Sequence, residues 1–332
     1  INIEMILSDH DTDCAACVRS GNCTLQTIAN DMGIIMNHYQ NTAEKARWNT
    51  DLPLIRDASK CVKCMRCIQI CEKVQSLGVW DLQGTGHRTT VGVVDNLDIQ
   101  DADCSLCGQC ITHCPTGALR ERDDTLKLTS MKGAFADPGK VTVVQVAPAV
   151  RSAWGEQLGL TREEATPERL VAALKALGFD YVFDTDFGAD LTIMEEASEF
   201  LERLTHKDEY TFPMFTSCCP GWVRFLKSQY PEMVDQLSTA KSPHQMQGAV
   251  TKTYFAEKMG LDPDSIYNVS IMPCVAKKSE IDIPNINDAG HGKDVDLVLT
   301  TREIVRMIRA DHLDVKKLQE VPFDSPLGTG TG

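Results

Sequence analysis

The chain has 332 residues, 42% of them hydrophobic, and a formal net charge of −14. That size supports a sizeable core and more than one domain, while the negative charge argues against a nucleic-acid partner, whose phosphates it would repel. No run of eighteen apolar residues and no signal-peptide pattern occurs, so no membrane span and a cytoplasmic location are expected. The first residue is Ile1 rather than Met, and we expect the chain to begin inside a longer polypeptide.

Fourteen cysteines are present, eleven of them within the first 114 residues. A disulfide framework would suit a secreted protein. Cysteines two or three residues apart, however, are poorly placed to bridge each other and well placed to surround one metal centre. Metal ligation is therefore the reading adopted.

In chain order, the first run is His10-x3-Cys14-x2-Cys17-x5-Cys23. Three cysteines leave a four-iron cubane one ligand short, and His10 stands at a suitable distance to fill the place. A lone histidine is more often structural, but beside three unassigned cysteines the ligand reading gains. Imidazole in place of thiolate removes negative charge and should raise the cluster potential. Next come Cys61-x2-Cys64-x2-Cys67-x3-Cys71 and Cys104-x2-Cys107-x2-Cys110-x3-Cys114-Pro115. Two such runs are the pattern of a two-cluster ferredoxin, in which the fourth cysteine of each run serves the other cluster. One [4Fe–4S] is thus assigned to Cys61, Cys64, Cys67 and Cys114, and the other to Cys104, Cys107, Cys110 and Cys71. Paired zinc sites are the alternative, since C-x2-C also suits zinc, but the two full runs favour iron. Between the runs, VWDLQGTGHRTTVG suits a hairpin or loop.

A linker, MKGAFADPGK (131–140), closes this region. Beyond it, KVTVVQVAP reads as a buried strand, and TPERLVAALKALGFDYVFDTD as an N-capped helix, a stop at Gly178 and a strand. A helix at about 189–205, a strand PMFTSC, helices from Gly221 and from Pro243 to Met259, and a strand NVSIMPC follow. DVDLVLTT and the helix REIVRMIRA come last, before a Gly- and Thr-rich end. Strands alternating with helices predict an α/β unit with a largely parallel sheet.

The remaining three cysteines lie in TSCCPGW (216–222) and MPCVAKKSE (272–280). These segments resemble the first two signature motifs of [FeFe]-hydrogenases. The cysteine runs upstream resemble the accessory domains of the same enzymes, and similar modules occur in the large subunit of respiratory complex I. The resemblance runs from His10 to the Gly-rich end. It implies a multidomain α/β chain with three parts: a one-histidine, three-cysteine cluster domain (1–50), a ferredoxin-like α+β domain with two [4Fe–4S] clusters (51–135), and the first α/β lobe of a hydrogenase catalytic domain (136–332).

In that family the active site is the H-cluster, a cubane joined through a cysteine thiolate to a two-iron unit bearing CO, CN⁻ and a bridging azadithiolate. The resemblance implies that Cys219 and Cys274 are cubane ligands. Cys218 would be a free thiol that passes protons to the azadithiolate amine, in keeping with a positioned acid whose pKa is within reach of neutrality; packed as a small hydrophobe it would have no such role. Proton delivery would run through Cys218, a water, Glu196, Ser238 and Glu199 to Arg203 at the surface. Glu196, Glu199 and Arg203 share one helix face by their spacing, which taken alone is an ordinary solvated face. Lys277 matches the lysine that bonds a cyanide ligand, and Met272, Ala147 and Pro148 would line the pocket. His244 stands where many members have Gln, near the two-iron carbonyls.

The family's third motif, with two further cysteines, and its plant-type [2Fe–2S] domain are absent, so the chain is expected to be a fragment. The implied activity is 2H⁺ + 2e⁻ ⇌ H₂, within a complex whose redox partner is a flavin- or NAD(P)-binding subunit, a formate dehydrogenase or ferredoxin. No dinucleotide fingerprint occurs in the chain itself. A non-catalytic electron-transfer or sensory subunit is the competing reading, supported by the missing motif and opposed by the intact proton path; a cluster-assembly scaffold is a third.

Overall fold

The computed structural model describes residues 1–43 and 46–331. Two compact units divide it, Ile1–Arg122 and Asp123–Gly332.

In the first unit, α1 (Asn2–Ser8) and α2 (Thr24–Asp31) flank the loop carrying His10, Cys14, Cys17 and Cys23. The rest of the unit is a repeat. Each ferredoxin-type run carries a short helix at its third cysteine, α3 (Arg66–Gln69) with Cys67 and α4 (Gln109–His113) with Cys110. The loops before them reverse direction at matching positions. Lys63 (φ 53°) and Met65 (φ 59°) in the first run correspond to Leu106 (φ 57°) and Gly108 (φ 74°) in the second. Three of these four are not glycine, so the left-handed backbone is held against its intrinsic cost. β1 (Leu54–Arg56), before the first run, pairs antiparallel with β4 (Leu119–Glu121), after the second. The expected hairpin is present: β2 (Trp80–Gln83) pairs with β3 (Thr90–Val93), Trp80 opposite Val93. Trp80 is buried and stacks on Trp48 with ring centroids 5.8 Å apart.

The second unit is built on four parallel strands, β5 (Val141–Val146), β6 (Tyr181–Asp184), β7 (Ile266–Met272) and β8 (Leu297–Thr300), in the order β6-β5-β7-β8. The strands are almost wholly buried, as their continuous apolar runs require. Around them lie α5 (Leu126–Thr129), α6 (Pro148–Ala153), α7 (Pro167–Leu177), α8 (Asp186–Thr205), α9 (Pro220–Gln229), α10 (Pro243–Val250), α11 (Ala256–Met259), α12 (Lys277–Glu280) and α13 (Thr301–Ala310). α7 has the expected ends: Thr166 Oγ1 accepts from the Arg169 amide, Pro167 opens the first turn, and Gly178 closes it at φ 113°. α10 continues through one wider turn (Thr251–Phe255) into α11, matching the single helix expected there. Chain order places β6 on one side of β5 and β7 on the other. The crevice outside the carboxyl ends of β5 and β7 is therefore the topological switch point, where open α/β sheets bind their ligands.

Two expectations need correction. PMFTSC forms no strand: Phe215 makes only an isolated parallel bridge to Leu237. Its amide donates to Gln236 O at 2.8 Å and its carbonyl accepts from Ser238 at 2.7 Å, so this apolar segment satisfies its backbone beside the loop before α10 rather than in the sheet. Nor is 131–140 an open linker. Ala134 is buried in the core of the second unit, and Phe135 meets Phe179 edge-on at 4.9 Å.

Candidate functional site

The first unit gathers the ferredoxin-type cysteines across the two runs. Cys61, Cys64 and Cys67 line one pocket with Cys114, walled by Trp80, Val91 and Leu119. Burial pushes the Cys67 thiol up to about 12, with the neighbouring Cys61, Cys114 and Cys64 adding to the rise. Such a thiol keeps its proton unless a metal displaces it. The other set shows the same exchange. Cys71 is raised by burial and by nearby Cys107, a member of the opposite run, and Cys110 is raised well above its ordinary value by burial, then by Cys104 and Cys107. Backbone amides already point at sulfur, from Val79 to Cys71 and from Leu106 to Cys104, each at 3.4 Å. Among the described residues no three His, Cys, Asp or Glu side chains close around a single ion, whereas a cubane takes its four thiolates on four different irons.

In the N-terminal loop, His10, Cys14 and Cys23 line a common cavity. Burial raises the Cys14 thiol, and Cys17 and Cys23 add to it. The His10 ring is 6% exposed and its Nδ1 has no hydrogen-bond partner. Burial also lowers its pKa, which keeps a lone pair available for a metal. A buried, neutral and unpartnered imidazole beside three cysteines fits a ligand. Cys17 takes a different position: its sulfur packs on Gly117, where a Cβ would lie 2.7 Å away. The loop is tied down around that contact, Arg19 donating to Ile111 O at 3.0 Å and the Asp11 amide to Ser59 O at 2.7 Å.

In the second unit, the residues singled out by TSCCPGW and MPCVAKKSE collect at the switch-point crevice. Ala147 follows β5, its amide donating to Ile271 O at 3.1 Å, and Pro148 opens α6. Met272 ends β7 and is buried in the core, with Cys274 just beyond. Cys219 caps α9, its sulfur accepting from the Trp222 amide at 3.4 Å. Cys274 is raised by burial, and nearby Cys219 adds to the rise. Cys218, half-buried, is raised first by burial. Lys277 opposes that rise, while Glu196 and Cys219 add to it. Lys277 Nζ donates to the carbonyl oxygen of Cys218 at 2.7 Å and to Glu280 Oε2 at 2.8 Å.

The proposed proton-path residues are brought together in part. Ser238 Oγ donates to Glu199 Oε2 at 2.7 Å, and Arg203 donates to Glu199 Oε1 through Nε at 3.1 Å and Nη2 at 2.5 Å. The Thr239 amide reaches the same carboxylate at 3.0 Å. Burial alone would raise the Glu199 carboxyl, but the Ser238 and Arg203 hydrogen bonds hold it below its ordinary value. Glu196 Oε1 is buried with no hydrogen-bond partner. Arg203 is not at the surface: it is 4% exposed, its Nη2 donates to Leu237 O at 2.8 Å, and the Tyr210 ring covers its guanidinium at 5.2 Å. A helical spacing places Arg203 on the same face as Glu199 but does not say that the 210 and 235–239 segments fold over that face.

His244 is wholly buried. Its Nε2 contacts Glu280 Oε2 at 2.5 Å and its Nδ1 contacts Ser270 Oγ at 3.1 Å, so both ring nitrogens are occupied. Burial lowers the His244 pKa against the pull of Glu280. Burial would raise the Glu280 carboxyl, but His244 and Lys277 bring it down to about 2. Burial of His244 and the pull of Glu280 act in opposite directions on the imidazole, and the geometry makes one oxygen of Glu280 the shared partner of His244 Nε2 and Lys277 Nζ.

Sequence reasoning missed Glu280, although its position three residues after Lys277 was a usable sign. It also missed the partition of the lysine doublet. Lys278 turns inward to Asp124 (2.8 Å) and Glu303 (2.7 Å) and is 1% exposed, while Lys277 faces the cysteines.

Comparison with known proteins agrees with this geometry. Residues 140–332 match the family model described as iron only hydrogenase large subunit, C-terminal domain. Residues 1–38 match the NADH-ubiquinone oxidoreductase-G iron-sulfur binding region, and residues 60–118 a 4Fe-4S dicluster domain. The chain is 44% identical to the NADP-reducing hydrogenase subunit HndD of Solidesulfovibrio fructosivorans, over 99% of this chain and 57% of that protein. It is 36% identical to iron hydrogenase 1 of Clostridium pasteurianum, with the same coverage of each. Among solved structures, apo [FeFe]-hydrogenase HydA1 from Chlamydomonas reinhardtii, variant C377H, superposes with a TM-score of 0.55 at 46% identity, over 60% of this chain and 52% of that one. The chain thus spans a little over half the length of the relatives it matches. With its family model covering most of the second unit, the chain belongs to the iron-only hydrogenase large subunit family.

Proposed function

We propose that this chain forms part of an [FeFe]-hydrogenase catalytic subunit that interconverts protons, electrons and H₂. The observation that carries the reading is the meeting of Cys218, Cys219, Cys274 and Lys277 at the switch-point crevice, with Lys277 bonded to the Cys218 carbonyl. In this reading Cys219 and Cys274 hold the cubane of an H-cluster, and that cofactor, when bound, supplies the iron at which protons and electrons combine. Cys218 keeps its proton until one is needed, because burial disfavours the bare thiolate. Glu199 and Ser238, then Glu196 and a water, carry protons toward it. Arg203 fixes Glu199 from the outer side rather than serving as the terminus in water. Ala147, Pro148, Met272 and His244 belong to the wall of the same crevice.

Three [4Fe–4S] clusters complete the proposal, all in the first unit, ahead of the catalytic region. His10, Cys14, Cys17 and Cys23 hold the first; the two cross-paired cysteine sets hold the others. Electrons come from a redox partner: a flavin- or NAD(P)-binding subunit, a formate dehydrogenase or ferredoxin. HndD, by name, is a subunit of an NADP-reducing hydrogenase. The test is H₂ evolution from a reduced low-potential donor by the complete polypeptide carrying its cofactors. Assembled clusters with no H₂ chemistry would instead support a relay or sensory role.

A further inference from the structure

Buried polar side chains cluster around the start of α10 and the end of β7. We propose that His244 and Glu280 are positioning residues that hold Lys277 against the backbone of Cys218. The assignment deepens the proposed reading of Cys218 as the proton donor, and rests on that reading for its importance to turnover.

The geometry is a single chain of contacts. Ser270 Oγ lies 3.1 Å from His244 Nδ1, His244 Nε2 lies 2.5 Å from Glu280 Oε2, Lys277 Nζ donates to that same oxygen at 2.8 Å, and Lys277 Nζ donates to Cys218 O at 2.7 Å. The first three members are buried. Ser270 lies within β7 and is fully buried, His244 sits in the first turn of α10 at 1% exposure, and Glu280 is 4% exposed. Lys277 carries a long, flexible stem; left to itself it would exchange the Cys218 carbonyl for water. Because one carboxylate oxygen receives both the imidazole and the ammonium, the imidazole fixes the rotamer of Glu280, and Glu280 fixes Lys277. The segment Lys277 grips is the one that makes no strand, joined to its surroundings near Cys218 by few backbone bonds.

The role asks for one acceptor toward Ser270 and one donor toward Glu280, which a neutral histidine provides. A glutamine side chain offers the same pair through its carbonyl and amide groups. His244→Gln should therefore preserve the network, while His244→Leu removes it and Glu280→Gln removes the charge that anchors Lys277.

The experiment is amide hydrogen exchange on the full chain, read by mass spectrometry on peptides spanning 214–222, with β5 as the internal reference. Loss of a charge-assisted bond of this kind releases roughly tenfold or more in local opening. His244→Leu and Glu280→Gln should each raise exchange at 214–222 by about that factor relative to β5, with His244→Gln remaining near the parent. A merely structural role for His244 would loosen α10 and β7 and leave 214–222 unmoved, and that result would overturn the proposal. Equal exchange in His244→Leu and His244→Gln would overturn it too. Should His244→Leu fail to fold, Glu280→Gln against His244→Gln decides by the same criterion. Because the readout needs no H₂ chemistry, it fails or succeeds separately from the proposed activity.

Discussion

Arg203 grips Glu199 across one turn of α8, at 2.5 Å and 3.1 Å, and is itself roofed by Tyr210. The pair sits where the proton path was expected to open to solvent, and of the two residues it is Arg203 that is buried. Glu199 retains 16% side-chain exposure against 4% for Arg203, so solvent reaches the carboxylate more readily than the guanidinium.

Replacing Arg203 by Leu should therefore do two things. It strips Glu199 of its cation while leaving the Ser238 and Thr239 bonds, at a cost of roughly 2 kcal/mol, less than a fully buried pair would lose. It also raises the Glu199 pKa toward its ordinary value. Chemical denaturation of Arg203→Leu beside the parent checks the first effect, and carboxylate titration by infrared difference spectroscopy checks the second. Unchanged stability would mean the pair is a passive contact.

The Glu280 carboxyl offers a pH signature. Its pKa falls from 4.5 to about 2 on folding, so in that window the unfolded chain binds the proton more tightly and stability rises with pH. The contribution, roughly 3 kcal/mol, should be complete above pH 4.5 and lost as pH falls toward 2. Glu280→Gln should flatten that part of the stability-versus-pH curve. A parent curve no steeper than the variant's would show that Glu280 is not held ionised by Lys277 and His244.

Cross-ligation predicts which cluster each cysteine commands. Cys114 shares its pocket with Cys61, Cys64 and Cys67, so Cys114→Ser should perturb the cluster of the first run, and Cys71→Ser that of the second. Iron analysis combined with electron paramagnetic resonance of the two variants separates the cases, each losing or altering about four irons of roughly twelve. Each variant damaging the cluster of its own run would reverse the assignment.

At the Cys17–Gly117 contact, Gly117→Ala drives a methyl group to 2.7 Å from sulfur. A metal-bound thiolate cannot swing aside, so the variant should lose about 1–3 kcal/mol and lower the iron content of the N-terminal site. Full occupancy and unaltered melting would show that Cys17 is free to move.

How much of this was legible beforehand divides along physical lines. Cysteine spacing is local, and the four cysteines it groups, Cys61, Cys64, Cys67 and Cys114, line one pocket. The alternation of apolar strands with capped helices was enough for the parallel sheet, because Thr166, Pro167 and Gly178 act within a few residues of themselves. What failed depended on tertiary neighbours. PMFTSC has the composition of a strand, but its partners lie in the 236–238 loop. Arg203 has the composition of a surface residue, but Tyr210 and Leu237 cover it. In the Lys277–Lys278 doublet one lysine serves the cysteines and the other a buried carboxylate pair, and nothing in the dipeptide tells them apart.

The most direct test of the central claim compares cofactor content with H₂ evolution for two variants of the complete enzyme, Cys218→Ala and Cys219→Ala. If Cys219 is a cluster ligand as proposed, Cys219→Ala should lose the infrared bands of iron-bound CO and CN⁻ along with activity. Cys218→Ala removes no ligand, so the bands should remain while turnover falls by about 10²–10⁴-fold, the usual worth of a positioned acid or base. Loss of the bands in Cys218→Ala, or near-normal turnover, would contradict the division of labour between these two adjacent cysteines.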